Sequence, residues 1–361
     1  MSEIQIIGAG PSGLTAAIHL ATKGFEVRVR EKRKAPGMRH HGFQGLDNWS
    51  HKEDAKEVLK GLGIRADFLL RPVFEVLYIS PKRKVHPVRS REPLFYLVRR
   101  GNHPDSLDAK LAWQAIELGV RISYNDPVAQ APPGAIVGIG PTSAKAIAKG
   151  IQFRTDMPDI AMCIVDPEIA PKAYAYLLVH EKEATLAVML TEEFKKANDY
   201  LKNAIEAFQS IRKFDIEEAT TFGGAGIPFD ATPTMGGQLR VGECSGAQDA
   251  LWGFGLWFAM ESGYLAAKCL VENKDYRKEF RKKLLPKIQR LLVCRWLFER
   301  IQRNSYERYF EMFESTDALE VFRKYYGNAS WMKFLYPFAV RHFQGSLPEN
   351  RRYFKEFFLD Y

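Results

Sequence analysis

The sequence predicts a mixed α/β fold, α+β overall: a parallel βαβ unit, an inserted antiparallel sheet and a helical carboxyl-terminal region. Three observations carry this. A strand, a glycine-rich turn, a helix and a second strand follow one another over residues 3–31. Segments between 160 and 190 alternate apolar and polar residues. Apolar residues recur at helical spacing from 256 onward. The 361 residues suffice for about two domains. A hydrophobic content of 46% with 26% charged residues excludes a disordered or fibrous chain.

Glu3-Ile-Gln-Ile-Ile7 is β-branched and alternating, hence a strand. Gly8-Ala-Gly10-Pro11-Ser12-Gly13 turns the chain, and Leu14 to Ala21 follows as a helix closed by Gly24. Phe25 to Arg30 forms the second strand, ending at Glu31 and Lys32. Each glycine has a separate reason. Gly8 permits the tight turn, Gly10 lets backbone approach a pyrophosphate, and Gly13 lets helix and strand close on each other. The helix amino terminus offers free N–H groups to phosphates. Glu31 suits ribose hydroxyls and repels a 2′-phosphate. The pattern identifies a dinucleotide site without distinguishing NAD from FAD.

Further on, Phe74 to Ile79 and Val85 to Val88 flank a turn and predict a hairpin. Ile160 to Val165, Lys172 to His180 and Thr185 to Leu190 predict antiparallel strands, with Glu181-Lys-Glu183 as a turn. Phe194, Ala197, Leu201, Ile205 and Phe208 mark one face of a helix over 192–211. Tyr174 and Tyr176 share one sheet face. Leu239 to Glu243 is a strand, Gln248 to Gly255 a loop, and Leu256 to Leu270 a helix. Phe280, Leu284, Ile288, Leu291, Leu292 and Phe298 lie near one helical face, and Pro286 should kink or bound that helix. Residues 305–361 hold 17 aromatics in 57 positions. Two readings of them are packing over the nucleotide domain and an apolar wall or membrane-facing patch.

Charge is local. The net charge is +9, and residues 275–304 alone contribute +7. A nucleic-acid binder would spread its charge, and no nucleic-acid module accompanies this helix. An alternative is contact with an anionic membrane surface. Cys163, Cys244, Cys269 and Cys294 form no CxxC pair, and no Cys/His set has zinc-ligand spacing, so no metal site is expected. A reducing, cytoplasmic setting fits. The uncharged run Ala250 to Met260 is too short to span a bilayer of ~30 Å.

Gly242-Glu243-Cys-Ser-Gly-Ala-Gln-Asp-Ala-Leu-Trp252-Gly253-Phe254-Gly255, followed by Ala259 to Ala267, resembles the geranylgeranyl reductase family, within the p-hydroxybenzoate-hydroxylase-like flavoproteins. Gly223-Gly-Ala-Gly-Ile-Pro228, Pro171-Lys-Ala-Tyr174-Ala-Tyr176-Leu-Leu-Val179 and Leu97-Val-Arg-Arg100-Gly are similar to further family segments. The resemblance runs over residues 1–272. It implies bound FAD, with Glu243 replacing the usual Asp toward the ribityl chain and Arg100 on the flavin side of the site. Arg39 belongs to the same cofactor set. It places His40, His41 and Trp252 near the flavin ring and Tyr176, where Trp is usual, on the substrate wall. His40 or His41 would supply a proton; His51 falls in the same region. The implied domains are an FAD-binding domain (1–70, 92–150, 219–272), a substrate domain (71–91, 151–218) and the helical region 273–361.

The implied activity is hydride transfer between flavin N5 and a small apolar molecule such as an isoprenoid or lipid, with NAD(P)H or a ferredoxin-like protein as electron donor. The alternatives are a monooxygenase of the same superfamily and a flavoprotein with non-redox or structural use of FAD. Val137-Gly-Ile-Gly-Pro-Thr-Ser143 carries no acid where hydroxylases have Asp-Gly. Pro36 to Gly42 contains no Cys where archaeal reductases have one.

Overall fold

The computed structural model describes residues 3–141, 145–226, 231–301, 303–326 and 331–344. The amino-terminal reading holds. Ile4–Ile7 and Val27–Arg30 are parallel neighbours joined by the helix Pro11–Thr22. Ile136–Val137 and then Gln238–Arg240 extend the sheet on one side, Arg121–Ser123 on the other, all in parallel. Thr234–Met235 closes one edge in antiparallel pairing. Parallel strands covered on both faces read as apolar runs, and Ile6, Val27, Val29 and Ile136 are buried. The helix Pro11–Thr22 packs on the helix Leu256–Val271, so closely that a side chain at Gly263 would overlap the Ser12 carbonyl.

The second sheet has seven strands, in the order Glu217–Gly226, Ala146–Arg154, Glu183–Leu190, Ala175–His180, Ile160–Ile164, Glu75–Ile79, Val85–Arg89. The expected hairpins are present. Two strands were not foreseen: Ala146–Arg154 and Glu217–Gly226, paired with each other. The expected domain boundaries at 150/151 and 218/219 fall inside them. These segments are rich in Ala and Gly and carry few large apolar side chains, so the backbone ladder to their neighbours defines them.

The period of two sorts this sheet cleanly. Ile147, Ile151, Leu177, Val179, Leu186 and Val188 form one buried face. Against it packs the helix Ala197–Ile211 through Leu201, Ala204 and Phe208. Ala146, Ala148, Cys163, Tyr176, Leu178, Phe222 and Gly224 face the other way, onto a cavity. A third, three-stranded antiparallel sheet is formed by Gly42–Asp47, Phe95–Arg100 and Leu70–Val73, its strands interleaved in sequence with those of the seven-stranded sheet. The Phe43 amide donates to Thr185 Oγ1 at 2.8 Å and ties it to the seven-stranded sheet.

The carboxyl-terminal region is helical as expected: Tyr276–Lys283, Leu285–Phe298, Tyr306–Glu311, Ala318–Tyr326 and Met332–Gln344. Pro286 sits in the first turn of the second of these, where its missing N–H costs nothing. Phe280, Leu284, Ile288, Leu291, Leu292 and Phe298 are all buried. The apolar face of the basic segment 275–304 therefore packs on the protein and is not available to a membrane. Tyr306, Phe310, Phe313, Phe322 and Tyr326 join the same core. The aromatic positions beyond 344 lie outside the described residues, as do the last two residues of the Gly223–Pro228 segment. Among the described residues no helix is long and apolar enough to cross a membrane.

Candidate active site

At the nucleotide end the three glycines differ as their roles require. Gly8 has φ +103°, and a side chain there would overlap the backbone of Gly138. A side chain at Gly13 would overlap the Gly8 carbonyl. At Gly10 a Cβ would meet nothing within 4 Å, leaving an open cradle at the helix amino terminus. Pro11 opens the helix, and no side chain caps its free amides. Ser12 is buried beside Gly138 and Gly242. Glu31 accepts from the Ala9 amide at 2.8 Å and the Arg33 amide at 2.9 Å, which holds its carboxylate beside the cradle. Lys32 is exposed. An open cradle, uncapped amides and a fixed carboxylate fit the ADP part of a dinucleotide.

The second cofactor segment is built on Gly242, at φ +63°, and Gly253, at φ +77°. Glu243 pairs with Arg39 at 2.5 Å and accepts from Gln248 Nε2 at 2.9 Å. Arg39 and Glu243 thus meet across 204 positions of sequence. The loop to Gly255 is organised by Asp249, which is buried. Its carboxylate accepts from the amides of Leu251 (2.8 Å), Trp252 (3.3 Å) and Phe254 (3.3 Å) and from the Tyr326 hydroxyl (3.0 Å). Phe254 stacks edge-on against Trp49 and Phe95, and Gly45 is bare because Phe254 fills its space. A side chain at Gly255 would overlap the Gln248 amide.

Between this loop and the seven-stranded sheet lies a cavity that opens to solvent. His40, Tyr174, Tyr176, Trp252, Glu243, Gly253, Phe254 and Gly255 all line it. Segments 36–42, 171–179 and 242–255 therefore converge on one space. Tyr174 donates its hydroxyl to the Trp252 carbonyl and fixes the loop against the sheet. Burial pushes the Tyr176 phenol up to about 12, so it stays protonated.

Not every expected residue reaches the cavity. His41 is exposed and lies beside Gly101, outside the lining. His51 is hydrogen-bonded to Glu261 at 2.6 Å, away from the lining. Arg100 was expected on the flavin side. Instead its buried guanidinium holds Asp108 in two bonds, at 2.8 and 3.0 Å, and donates to Gln44 Oε1 at 2.5 Å. It reaches the cavity only through Gln44, which also lies 3.5 Å from His40 Nδ1. His40 does line the cavity. Burial and then the charges of Arg100 and Arg39 hold its pKa well below 6.5, so it is neutral at pH 7 and is not the imidazolium donor that the sequence suggested.

Sequence reasoning missed Gln44, Gly45, Trp49, Ala146, Ala148, Gly224 and Phe322 in the lining. A signal existed for some of them. Ala146 and Ala148, like Gly224 and Gly226, are small residues two apart, which on paired strands leave one sheet face bare. Phe322 comes from a distant helix and left no local mark. Cys163 also lines the cavity, and burial raises its thiol pKa, so it is not a nucleophile that replaces the absent Cys.

Asp47, at the end of the strand Gly42–Asp47, is buried, and burial raises its pKa from 3.8 to about 6. The folded state thus holds a proton that the unfolded chain releases above pH 3.8. Its contribution to stability is greatest below that value and is lost as pH rises through about 6. Asp47→Asn should flatten the stability profile across this window and gain on the order of 2–3 kcal/mol over the parent at neutral pH. Urea midpoints at several pH values measure this, and parallel profiles for the two proteins would refute it.

The NAD(P)-binding Rossmann-like domain family matches residues 6–54. Along its length the chain is similar to the digeranylgeranylglycerophospholipid reductase of Methanococcus aeolicus, 20% identical over 370 residues that cover 88% of this chain and 90% of that one. Among solved structures it is similar to a geranylgeranyl bacteriochlorophyll reductase-like protein of Thermoplasma acidophilum. That match has a TM-score of 0.71 and 18% identity, and covers 95% of this chain and 98% of the other. A flavoprotein/dehydrogenase of Cytophaga hutchinsonii follows at TM-score 0.66 and 16% identity, covering 94% and 100%. The fold is that of the flavoprotein oxidoreductases, and the resemblance to geranylgeranyl reductases read from residues 1–272 recurs as a similarity over 88% of the chain.

Proposed function

We propose that this protein is an FAD-dependent reductase that adds hydrogen across a carbon–carbon double bond of an apolar, prenyl-like substrate. The observation that carries the reading is the cavity. Its walls are largely aromatic and aliphatic, the small residues Ala146, Ala148 and Gly224 leave room beside Tyr176, Leu178 and Phe222 on its sheet face, and the Gly253–Gly255 loop of the second cofactor segment also lines it.

FAD, when bound, supplies hydride chemistry at its flavin ring. The chain's part is to hold and orient. The uncapped amides after Gly10 receive the pyrophosphate, and Glu31 receives ribose hydroxyls. Arg39 and Glu243 fix polar groups near the loop, while the apolar walls exclude water. Reduction of a double bond also needs a proton at the neighbouring carbon. Tyr176 is the residue suited to hold it. Its hydroxyl has no partner among the described residues, it lines the cavity and its phenol remains protonated. Electrons come from NAD(P)H or a ferredoxin-like donor. A hydroxylase reading is less well supported, because Val137 to Pro141 carries no acid.

Tyr176→Phe keeps the ring and removes the proton. Reduction of a prenyl lipid should fall by roughly 10²-fold, the lower end for general acid catalysis, while FAD content stays unchanged. Single-turnover reoxidation of the reduced protein measures it. An unchanged rate would remove Tyr176 from the chemistry.

A further inference from the structure

The helix Met332–Gln344 turns two unlike faces in opposite directions. Met332, Ala339 and Phe343 are buried, and Met332 Sδ lies 3.8 Å from Cys294 Sγ on the helix Leu285–Phe298. The outward face carries large aromatics instead. Trp331, Phe334 and Phe338 are 54%, 80% and 61% exposed. Their spacing of three and then four residues lines them up in a single strip. Lys333 and Arg341 are exposed beside them, and the helix contains no acidic residue.

Upstream, Tyr306, Phe310, Phe313 and Phe322 are all buried. Large apolar residues grouped on a surface mark a contact. The cations intermingled with them select the partner. A bilayer surface accepts both, with rings at the headgroup–acyl boundary and cations on phosphates. The chain's net charge of +9, concentrated in the neighbouring segment 275–304, has the complementary sign.

We propose that the outward face of this helix seats the protein on the surface of an anionic bilayer. Trp331, Phe334 and Phe338 enter the boundary region, and Lys333 and Arg341 meet lipid phosphates. The inference is independent of the redox reading, because none of these residues lines the cavity.

Co-sedimentation tests it, with vesicles of phosphatidylcholine alone and of phosphatidylcholine mixed with phosphatidylglycerol. The parent protein should pellet with the mixed vesicles, and less so as salt rises. Phe334→Ser/Phe338→Ser should reduce the bound fraction at least about tenfold. Lys333→Glu/Arg341→Glu should abolish the preference for the mixed vesicles. Unchanged thermal melting by circular dichroism shows that both variants are folded, since all four side chains are exposed. Two results overturn the proposal. One is a parent protein that stays in the supernatant with mixed vesicles. The other is a parent dimer that Phe334→Ser/Phe338→Ser converts to a monomer in sedimentation velocity without any vesicle binding, which assigns the strip to a second copy of the chain.

Discussion

Gly10→Val protein should fold as well as the parent and retain no FAD. The backbone at Gly10 is extended, with φ −86° and ψ 176°, which valine adopts without strain. A Cβ there meets no protein atom within 4 Å. The substitution therefore costs the fold little and places a branched side chain where a pyrophosphate must approach the helix amides. Gly13→Val makes the contrast. There the side chain collides with the Gly8 carbonyl, and overpacking of this kind costs about 1–3 kcal/mol or more. The measurements are the melting temperature and the flavin released on denaturation. A yellow Gly10→Val protein with normal FAD content would mean that the cradle is not the cofactor site.

Asp108→Ala should destabilise the protein by about 3–5 kcal/mol, the cost of leaving a buried charge without its partner. Arg100 and Asp108 are 3% and 0% exposed, and the carboxylate also accepts from the Gly101 amide at 3.0 Å. The double variant Arg100→Met/Asp108→Ala should recover a large part of that loss, because no unpaired charge remains. Guanidinium unfolding of the four proteins closes the cycle. A single variant within 1 kcal/mol of the parent, on the scale of an exposed pair, would show the pair to be solvated. The pair also positions the cavity. Arg100 donates to Gln44, and Gln44 adjoins His40, so the single variant should disturb the histidine as well.

Legibility in the sequence followed locality. The strand, turn and helix over residues 3–31 could be read because each element is short, contiguous and marked by glycines whose roles are separable. The hairpins of the middle region could be read because short polar turns, such as the one at Glu181 and Lys182, separate contiguous runs of strand length. Ala146–Arg154 and Glu217–Gly226 could not. Their cavity face is mostly Ala and Gly beside Phe222 and gives little hydrophobic signal, although these strands are among the longest in the molecule. The site showed the same division. Tyr176, Trp252 and His40 lie in recognisable segments. Arg100 lies in one too, yet Asp108 in the first turn of the next helix captured its charge, and that choice is made only by packing. His40 lines the cavity, but its charge was not legible, because burial first, and then the charges of Arg100 on another strand and of Arg39, hold its pKa well below 6.5. Phe322 and Tyr326, which close the cavity and the cofactor loop from the carboxyl-terminal helices, are contacts of more than 70 positions in sequence.

The most direct test is an anaerobic half-reaction. The purified protein is loaded with FAD, reduced with dithionite, freed of reductant and mixed with a geranylgeranyl lipid. The expected result is that the flavin absorbance returns in proportion to lipid double bonds lost, and that the product carries two more hydrogens for each flavin reoxidised. A flavin that stays reduced beside the lipid, and is reoxidised by oxygen with insertion of an oxygen atom into an added aromatic substrate, would contradict the reductase and establish a monooxygenase.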